Sequence, residues 1–290
     1  MSLSVAPKLC VVGSVNLDLV ARARALPRPG ETITGATLNR YPGGKGANQA
    51  LAARRLGAEV VLCAAVGQDS AADEALALLH AEGVDLSRLH RDTAAATGVA
   101  LIAVSDAGEN QIVVAPGANR TLTPDRLKLA PADAVICQLE TPAETVAAAA
   151  AQVKGRFVVN LAPAGPVPDS ILARADLLIV NETEELYYGD RLHASPGLVC
   201  LTLGARGAKM LRAGRAVARA TPPPVTVADT TGAGDCFAAA ITIALLEGRS
   251  EEQALSFACV AAALKTTRPG AQPGMPTRAH VDALWRSVSR

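Results

Sequence analysis

A chain of 290 residues, 50% hydrophobic and 19% charged, has apolar material for one large α/β domain or two small ones. Its formal net charge is +1 and no basic run stands out, which argues against duplex DNA or an anionic membrane as a partner. Aromatic residues make up only 2%, which argues against stacking on single-stranded nucleic acid and leaves the core to Ala, Val and Leu.

The six cysteines (Cys10, Cys63, Cys137, Cys200, Cys236, Cys259) are widely spaced and form no CxxC pair. Buried thiols in a reducing compartment are expected rather than a zinc site. The first apolar run, Leu9–Val12, is too short for a signal-peptide core, and no apolar run approaches the ~18 residues that would mark a membrane span. A cytoplasmic location is the expectation.

In chain order, Leu9–Val12 followed by Gly13 reads as a buried parallel strand. Asn16 and Asp18 come directly after it, where ligands sit in open α/β sheets. Two polar residues one apart on an extended segment face one ligand, although an Asx turn fits them equally well. Between Val20 and Leu38 the pattern breaks at Pro27, Pro29 and Gly30, and Glu31–Thr34 alternates as an exposed antiparallel strand would. Gly98–Val104 and Gln111–Val114, separated by a turn-rich linker, read as a hairpin. Together these predict a small β-layer, built from about 19–40 and 97–115, hinged over a larger domain. Tyr41–Ala50 is a glycine-rich loop entering a helix that ends near Leu56-Gly57. Its spacing matches neither GxxxxGK[ST] nor GxGxxG, and Lys45 and Asn48 are its hydrogen-bonding groups.

Strand-like and helix-like runs then alternate. Strands are expected at Glu59–Val66, Ala134–Leu139, Arg156–Leu161, Asp176–Val180 and Leu198–Leu203, and helices at Ser70–Glu82 and Pro142–Lys154. Glu140, Asn181 with Glu184, and Thr202 with Gly204 each follow an apolar run. In a parallel sheet all of them fall on one edge. The four histidines have no metal-ligand spacing.

Asp229-Thr230-Thr231-Gly232-Ala233-Gly234-Asp235 opens a helix that carries Phe237, Ile241 and Leu245 and is capped by Gly248. Gly232, Ala233 and Gly234 leave the helix-start N–H groups open to a phosphate. Asp235 is a poor anion ligand beside them and a good base for a hydroxyl that must attack a phosphate. A glycine turn with Asp in the first helical turn explains the stretch alone equally well.

Gly43-Gly44-Lys45-Gly46-Ala47-Asn48-Gln49-Ala50, Asn181–Glu184, Asp229–Asp235 and Gly270–Pro273 together resemble the ribokinase branch of the PfkB carbohydrate-kinase family. The likeness runs from about Leu9 to the end. It implies a single α/β domain over 1–290, a central mostly parallel sheet flanked by helices, with a small β-lid that forms a homodimer contact. It implies transfer of the ATP γ-phosphoryl group to the 5-hydroxyl of D-ribose, with Asp235 as catalytic base and Gly232, Ala233 and Gly234 as anion hole. Asn16, Leu17, Asp18, Gly44, Lys45, Gly46, Ala47, Asn48 and Glu140 match its sugar-binding positions. Asn181, Thr202, Leu203, Gly204, Ala205, Arg206, Gly207, Gly234, Asp235 and Cys259 match its nucleotide-binding positions, and Glu184 reaches Mg²⁺ through water. Asp229, Thr231, Lys265, Arg268, Gly270 and Gly274 match a K⁺ site that activates the enzyme. Gly274 stands where a serine is common, so a water is expected to replace that hydroxyl. The segment 185–198 is about a helix shorter than the family pattern, which implies a thinner flank. Another sugar or nucleoside kinase of the same family would share the base and anion hole.

Overall fold

A computed structural model describes residues 6–288. The strand β1 (Lys8–Val12) is the first apolar run, stopped by Gly13. The chain leaves through the antiparallel pair β2 (Asn16–Ala23) and β3 (Thr37–Gly43) and returns by α1 (Lys45–Arg55), β4 (Glu59–Cys63) and the short β5 (Ala65–Gly67). Next come α2 (Ser70–Ala81), β6 (His90–Asp92) beside β5, and the hairpin β7 (Gly98–Ser105) and β8 (Asn110–Ala115). Strands and helices then alternate as β9 (Ala134–Cys137), α3 (Ala143–Gln152), β10 (Arg156–Asn160), α4 (Asp169–Arg174) and β11 (Leu177–Asn181). They continue as α5 (Glu182–Tyr188), α6 (Asp190–His193) and β12 (Leu198–Thr202). The hairpin β13 (Ala208–Arg212) and β14 (Arg215–Ala220) precedes α7 (Ala233–Leu246), α8 (Glu251–Thr266) and α9 (Arg278–Val288).

The large sheet has eight strands in the order β14-β13-β12-β11-β10-β9-β1-β4, parallel from β12 to β4 and antiparallel at the β13–β14 edge. Its central strands are near-continuous Val, Leu and Ile because helices cover both faces. On one side α1, α2, α7 and α8 enclose a core around Leu51, Phe237 and Phe257, and on the other α3 and α4 enclose one around Val146, Phe157 and Ile171. Helices α7 and α8 pack on each other, and both bury small residues, Ala238 and Ala239 on one and Ala258 and Ala261 on the other, which suit close packing where aromatics are scarce.

A second sheet has the order β3-β2-β7-β8. It corrects the expected boundaries in two ways. Glu31–Thr34 is not a strand; the partner of β2 is Thr37–Gly43, further from the Pro27, Pro29 and Gly30 cluster that breaks extended pairing. The sheet also begins at Asn16 rather than at about 19, so Asn16 and Asp18 belong to β2. Glu59–Val66 is likewise two strands, β4 in the large sheet and β5 paired with β6. The 185–198 segment holds α5 and α6, joined at Gly189 with φ 53°.

Helix α1 starts where Gly44, at φ 87°, turns the chain out of β3. Its first turn lies on the end of β1: a Cβ at Gly46 would stand 2.5 Å from the Gly13 carbonyl carbon and 2.6 Å from the Ser14 nitrogen. Gly46→Ala therefore has to push the helix off the strand end. It should cost about 1–3 kcal/mol in urea unfolding, the range for overpacked interiors. Unchanged stability would mean that the start of α1 does not bear on the end of β1.

Candidate active site

The parallel strands end together, so Glu140 after β9, Asn181 at the end of β11 and Thr202 at the end of β12 fall on one edge, as the apolar runs predicted. The second sheet stands over that edge. In β2 the alternation sends Asn16 and Asp18 to one face and Leu17, 2% exposed, to the other. Asn16 is held by Asn119, whose Nδ2 donates to Asn16 Oδ1 at 2.8 Å. The Asp18 carboxylate packs against the Cα of Gly43, where any side chain would displace it.

Asp235 lies in the first turn of α7, behind Gly232, which takes the left-handed conformation at φ 78°. Gly234 meets no heavy atom within 4 Å of a built Cβ, so the turn faces open space. The Asp235 carboxylate is buried yet satisfied: Asn48 Nδ2 donates to Oδ2 at 2.9 Å and Gln49 Nε2 to Oδ1 at 3.0 Å. Gln138 Nε2 in turn donates to Gln49 Oε1 at 2.7 Å, fixing that amide's orientation. Burial raises the Asp235 carboxyl above its ordinary range, opposed by Lys45 and the two amide bonds.

Lys45, at the start of α1, faces Asp18, Glu140, Glu184 and Asp235. Burial works against its ammonium, but Asp235, Glu140, Glu184 and Asp18 together hold its pKa above the usual value. Glu140 is anchored from the other side by Ser14 Oγ and by the Lys45 backbone N–H at 3.0 Å. Asn181 and Glu184 close a capping box on α5, with Glu184 Oε2 accepting from Asn181 N at 2.8 Å and Asn181 Oδ1 from Glu184 N at 3.0 Å.

One cavity is lined by Lys45, Asn160, Asn181, Glu184, Thr202, Gly232, Gly234 and Asp235. A second, of about 560 Å³, shares Thr202 and Gly234 with it and is walled by Gly204, Ala205, Gly207, Ala233 and Cys259 among apolar residues such as Pro222, Val225 and Phe237. Its size and apolar walls suit a flat ring system. Leu203 packs toward the core instead, and Arg206 points outward to pair with Glu182. Neither side chain lines the cavity.

The residues of the expected K⁺ site also converge, but they do not fit a free ion. Lys265 is fully buried and its Nζ donates to the Asp229 carbonyl at 3.0 Å and the Arg268 carbonyl at 3.4 Å. Beside Gly274, where a water was expected, the Lys265 stem lies with Cε 3.1 Å from a built Cβ at Gly274.

The description "pfkB family carbohydrate kinase" matches residues 6–278. The chain belongs to that family. This kinase is 38% identical over 290 residues to a ribokinase of Bacillus subtilis (strain 168), covering 95% of this chain and 98% of the relative. It is 36% identical over 294 residues to one of Haemophilus influenzae, covering 93% and 95%. The solved structure of Arabidopsis thaliana ribokinase complexed with ribose and ATP superposes with a TM-score of 0.87 at 31% identity, over 97% of this chain and 99% of that one.

Four residues that hold the site in this kinase were not picked out from the sequence: Ser14, Gln49, Asn119 and Gln138. Gln49 adjoins Asn48 in the glycine-rich motif, and that adjacency was the one available signal.

The crowding of carboxylates has a pH signature. Asp18 is pushed up to about 7, first by burial and then by the charges of Glu140 and Asp235. A carboxyl that titrates higher folded than unfolded binds its proton more tightly in the native state. Its stabilising contribution is complete below pH 4 or so and is lost as pH rises to about 7. Asp18→Asn should therefore raise the melting temperature relative to wild type more at pH 8 than at pH 5. An equal difference at both values would show that Asp18 is not charged against its neighbours.

Proposed function

We propose that this protein phosphorylates the 5-hydroxyl of D-ribose, with ATP as co-substrate, to give D-ribose 5-phosphate. The observation that carries the reading is Asp235, buried under the Gly232–Gly234 turn and opening on the cavity that Lys45 and Glu184 also line. The kinship with ribokinases, one of them solved with ribose and ATP, supports the choice of substrate.

A free sugar is uncharged and rich in hydroxyls, so carboxylates and amides recognise it. Asn16, Asp18 and Glu140 supply acceptors, and Asn48 Oδ1, buried without a partner among the described residues, is one more. Gly44, Gly46 and Ala47 let the start of α1 press against the end of β1, which sets Lys45 and Asn48 toward the sugar. Asp235 accepts the hydroxyl proton as the sugar oxygen attacks the γ-phosphorus and ADP departs. The N–H groups at the start of α7 and the Lys45 ammonium face the charge that spreads over the transferring phosphoryl oxygens.

The nucleotide takes the second cavity, its base among Val225, Phe237 and Cys259 and its phosphates toward Gly204–Gly207 and Gly234. Among the described residues no three His, Cys, Asp or Glu side chains cluster to hold a metal. A divalent ion that rides on the triphosphate, reached from Glu184 through water, therefore fits this chain better than a protein-held one. When bound, Mg²⁺ neutralises charge on the β- and γ-phosphates.

The four-stranded sheet acts as the lid and the dimer contact in this reading. Leu38, Leu101 and Val113 are exposed together on the face of it that points away from Asp18, and apolar side chains gathered on one small sheet mark an interaction face. All six cysteines are free and buried, which suits a reducing, cytoplasmic setting.

Asp235→Asn keeps the shape and removes the proton acceptor, so kcat should fall about 10²–10⁴-fold in coupled ADP release with ribose, with ribose KM changing far less. Near wild-type turnover would remove Asp235 from the mechanism. Turnover with other sugars or nucleosides and none with ribose would sink the substrate assignment. Val113→Lys, in the exposed strand, should convert a dimer to a monomer in size-exclusion chromatography with light scattering. A wild-type monomer would remove the dimer.

A further inference from the structure

Beneath the glycine turn, the chain around Asp229 and the segment from Lys265 to Gly274 fold into a small pocket of backbone carbonyls. The Asp229 carboxylate is committed to shaping the backbone: Oδ1 accepts from Thr231 N at 2.9 Å and Oδ2 from Gly270 N at 2.7 Å. Lys265, in the last turn of α8, sends its side chain into this pocket with 0% exposure, and its ammonium takes the Asp229 and Arg268 carbonyls. Gly274 is small for the same reason. A Cβ there would stand 2.8 Å from the Gly270 carbonyl oxygen, 3.1 Å from that of Arg268 and 3.1 Å from Lys265 Cε.

We infer that Lys265 is a tethered monovalent cation, which holds the Asp229–Gly234 turn in shape in place of a potassium ion and makes this kinase independent of K⁺. The inference rests on the proposed kinase reading for its activity arm but not for its stability arm. An ammonium carries one positive charge, donates to three acceptors and has no acceptor of its own, so a cage of carbonyls satisfies it. A lysine buried away from solvent has few other ways to remain charged. A K⁺ ion entering the same carbonyls would meet a like charge at contact distance. The tether also removes any dependence on concentration, because the ammonium is covalently held at its site; burial pulls its pKa below the usual lysine value, and the nearby Asp229 carboxylate opposes that. Lys265 touches no reacting atom; it is a positioning residue, acting through the turn that carries Gly232, Gly234 and Asp235.

The test compares wild type, Lys265→Ala and the double variant Lys265→Ala/Gly274→Ser in KCl, NaCl and choline chloride at matched ionic strength. Initial rates and melting temperatures are read in each salt. Wild type should give the same rate and the same melting temperature in all three. Lys265→Ala should lose on the order of tenfold in kcat in choline, as the charge-stabilising turn loosens, and recover part of it in KCl. Its melting temperature should rise selectively in KCl, and the double variant, with a hydroxyl restored to the cage, should respond at lower K⁺. A wild type activated severalfold by K⁺ over choline would overturn the inference, as would a Lys265→Ala protein whose rate and melting temperature ignore K⁺. Absence of turnover with every sugar would count against the kinase reading alone, and the melting temperatures would still decide the role of Lys265. Should Lys265→Ala fail to fold in every salt, the wild-type comparison decides by itself.

Discussion

Lys45 carries a positive charge in a place where burial alone would strip it, and four carboxylates hold it there. The reverse is equally true, since Asp235, Asp18 and Glu140 would repel one another strongly without that ammonium. Each of these charges arrives from a different part of the chain: β2, the start of α1, the loop after β9, α5 and α7. The electrostatic balance therefore exists only when both sheets and both glycine turns are in register. This ties the catalytic arrangement to the global fold rather than to any single loop. It also explains the tight backbone contacts at Gly13, Gly43 and Gly46, where a single methyl group would move one of the partners.

The two layers divide the work by chemistry. The edge of the parallel sheet offers helix starts and glycine turns, which favour anions. The small sheet brings Asn16 and Asp18, acceptor groups suited to hydroxyls, over the top. A reaction that joins a neutral, hydroxyl-rich molecule to a triphosphate needs both kinds of surface within bonding distance, and here they meet at Asp235. The pfkB kinship and the close superposition on a ribokinase solved with ribose and ATP agree with that division.

Much of this was legible in the sequence, for identifiable reasons. Buried parallel strands are continuous apolar runs, so their ends at Glu140, Asn181 and Thr202 were readable to within a few residues. The glycine turn was readable from Gly-Ala-Gly-Asp before an apolar helix, but a first-turn Asp explains that stretch equally well, and Asp235 took a role only from the resemblance of the whole set of motifs. The hairpin β13–β14 was not, since Lys209, Arg212, Arg215 and Arg219 blur its alternation; its one signal was the turn at Ala213-Gly214, both at positive φ. The amide relay from Gln138 to Gln49 joins residues 89 apart in sequence, and an amide inside an apolar run has no period of its own. Lys265 matched a position of the expected K⁺ site through its backbone. Nothing in the spacing says where a lysine side chain goes, and this one turns inward to the Asp229 and Arg268 carbonyls.

The hydrogen bonds around Asp235 bear on how a catalytic cycle closes. Both carboxylate oxygens accept from amide N–H groups of Asn48 and Gln49, and an amide cannot pass a proton onward at neutral pH. In the proposed mechanism, Asn48, Gln49 and the Gln138 behind it offer a proton on Asp235 no titratable group, and the open side of the carboxylate is the cavity that Lys45 and Glu184 also line. A phosphate monoester, whose second ionisation lies near pH 6, is a suitable carrier on that path. On the proposed mechanism, resetting the base is coupled to clearing the product, with the carboxylate regenerated as the cavity empties.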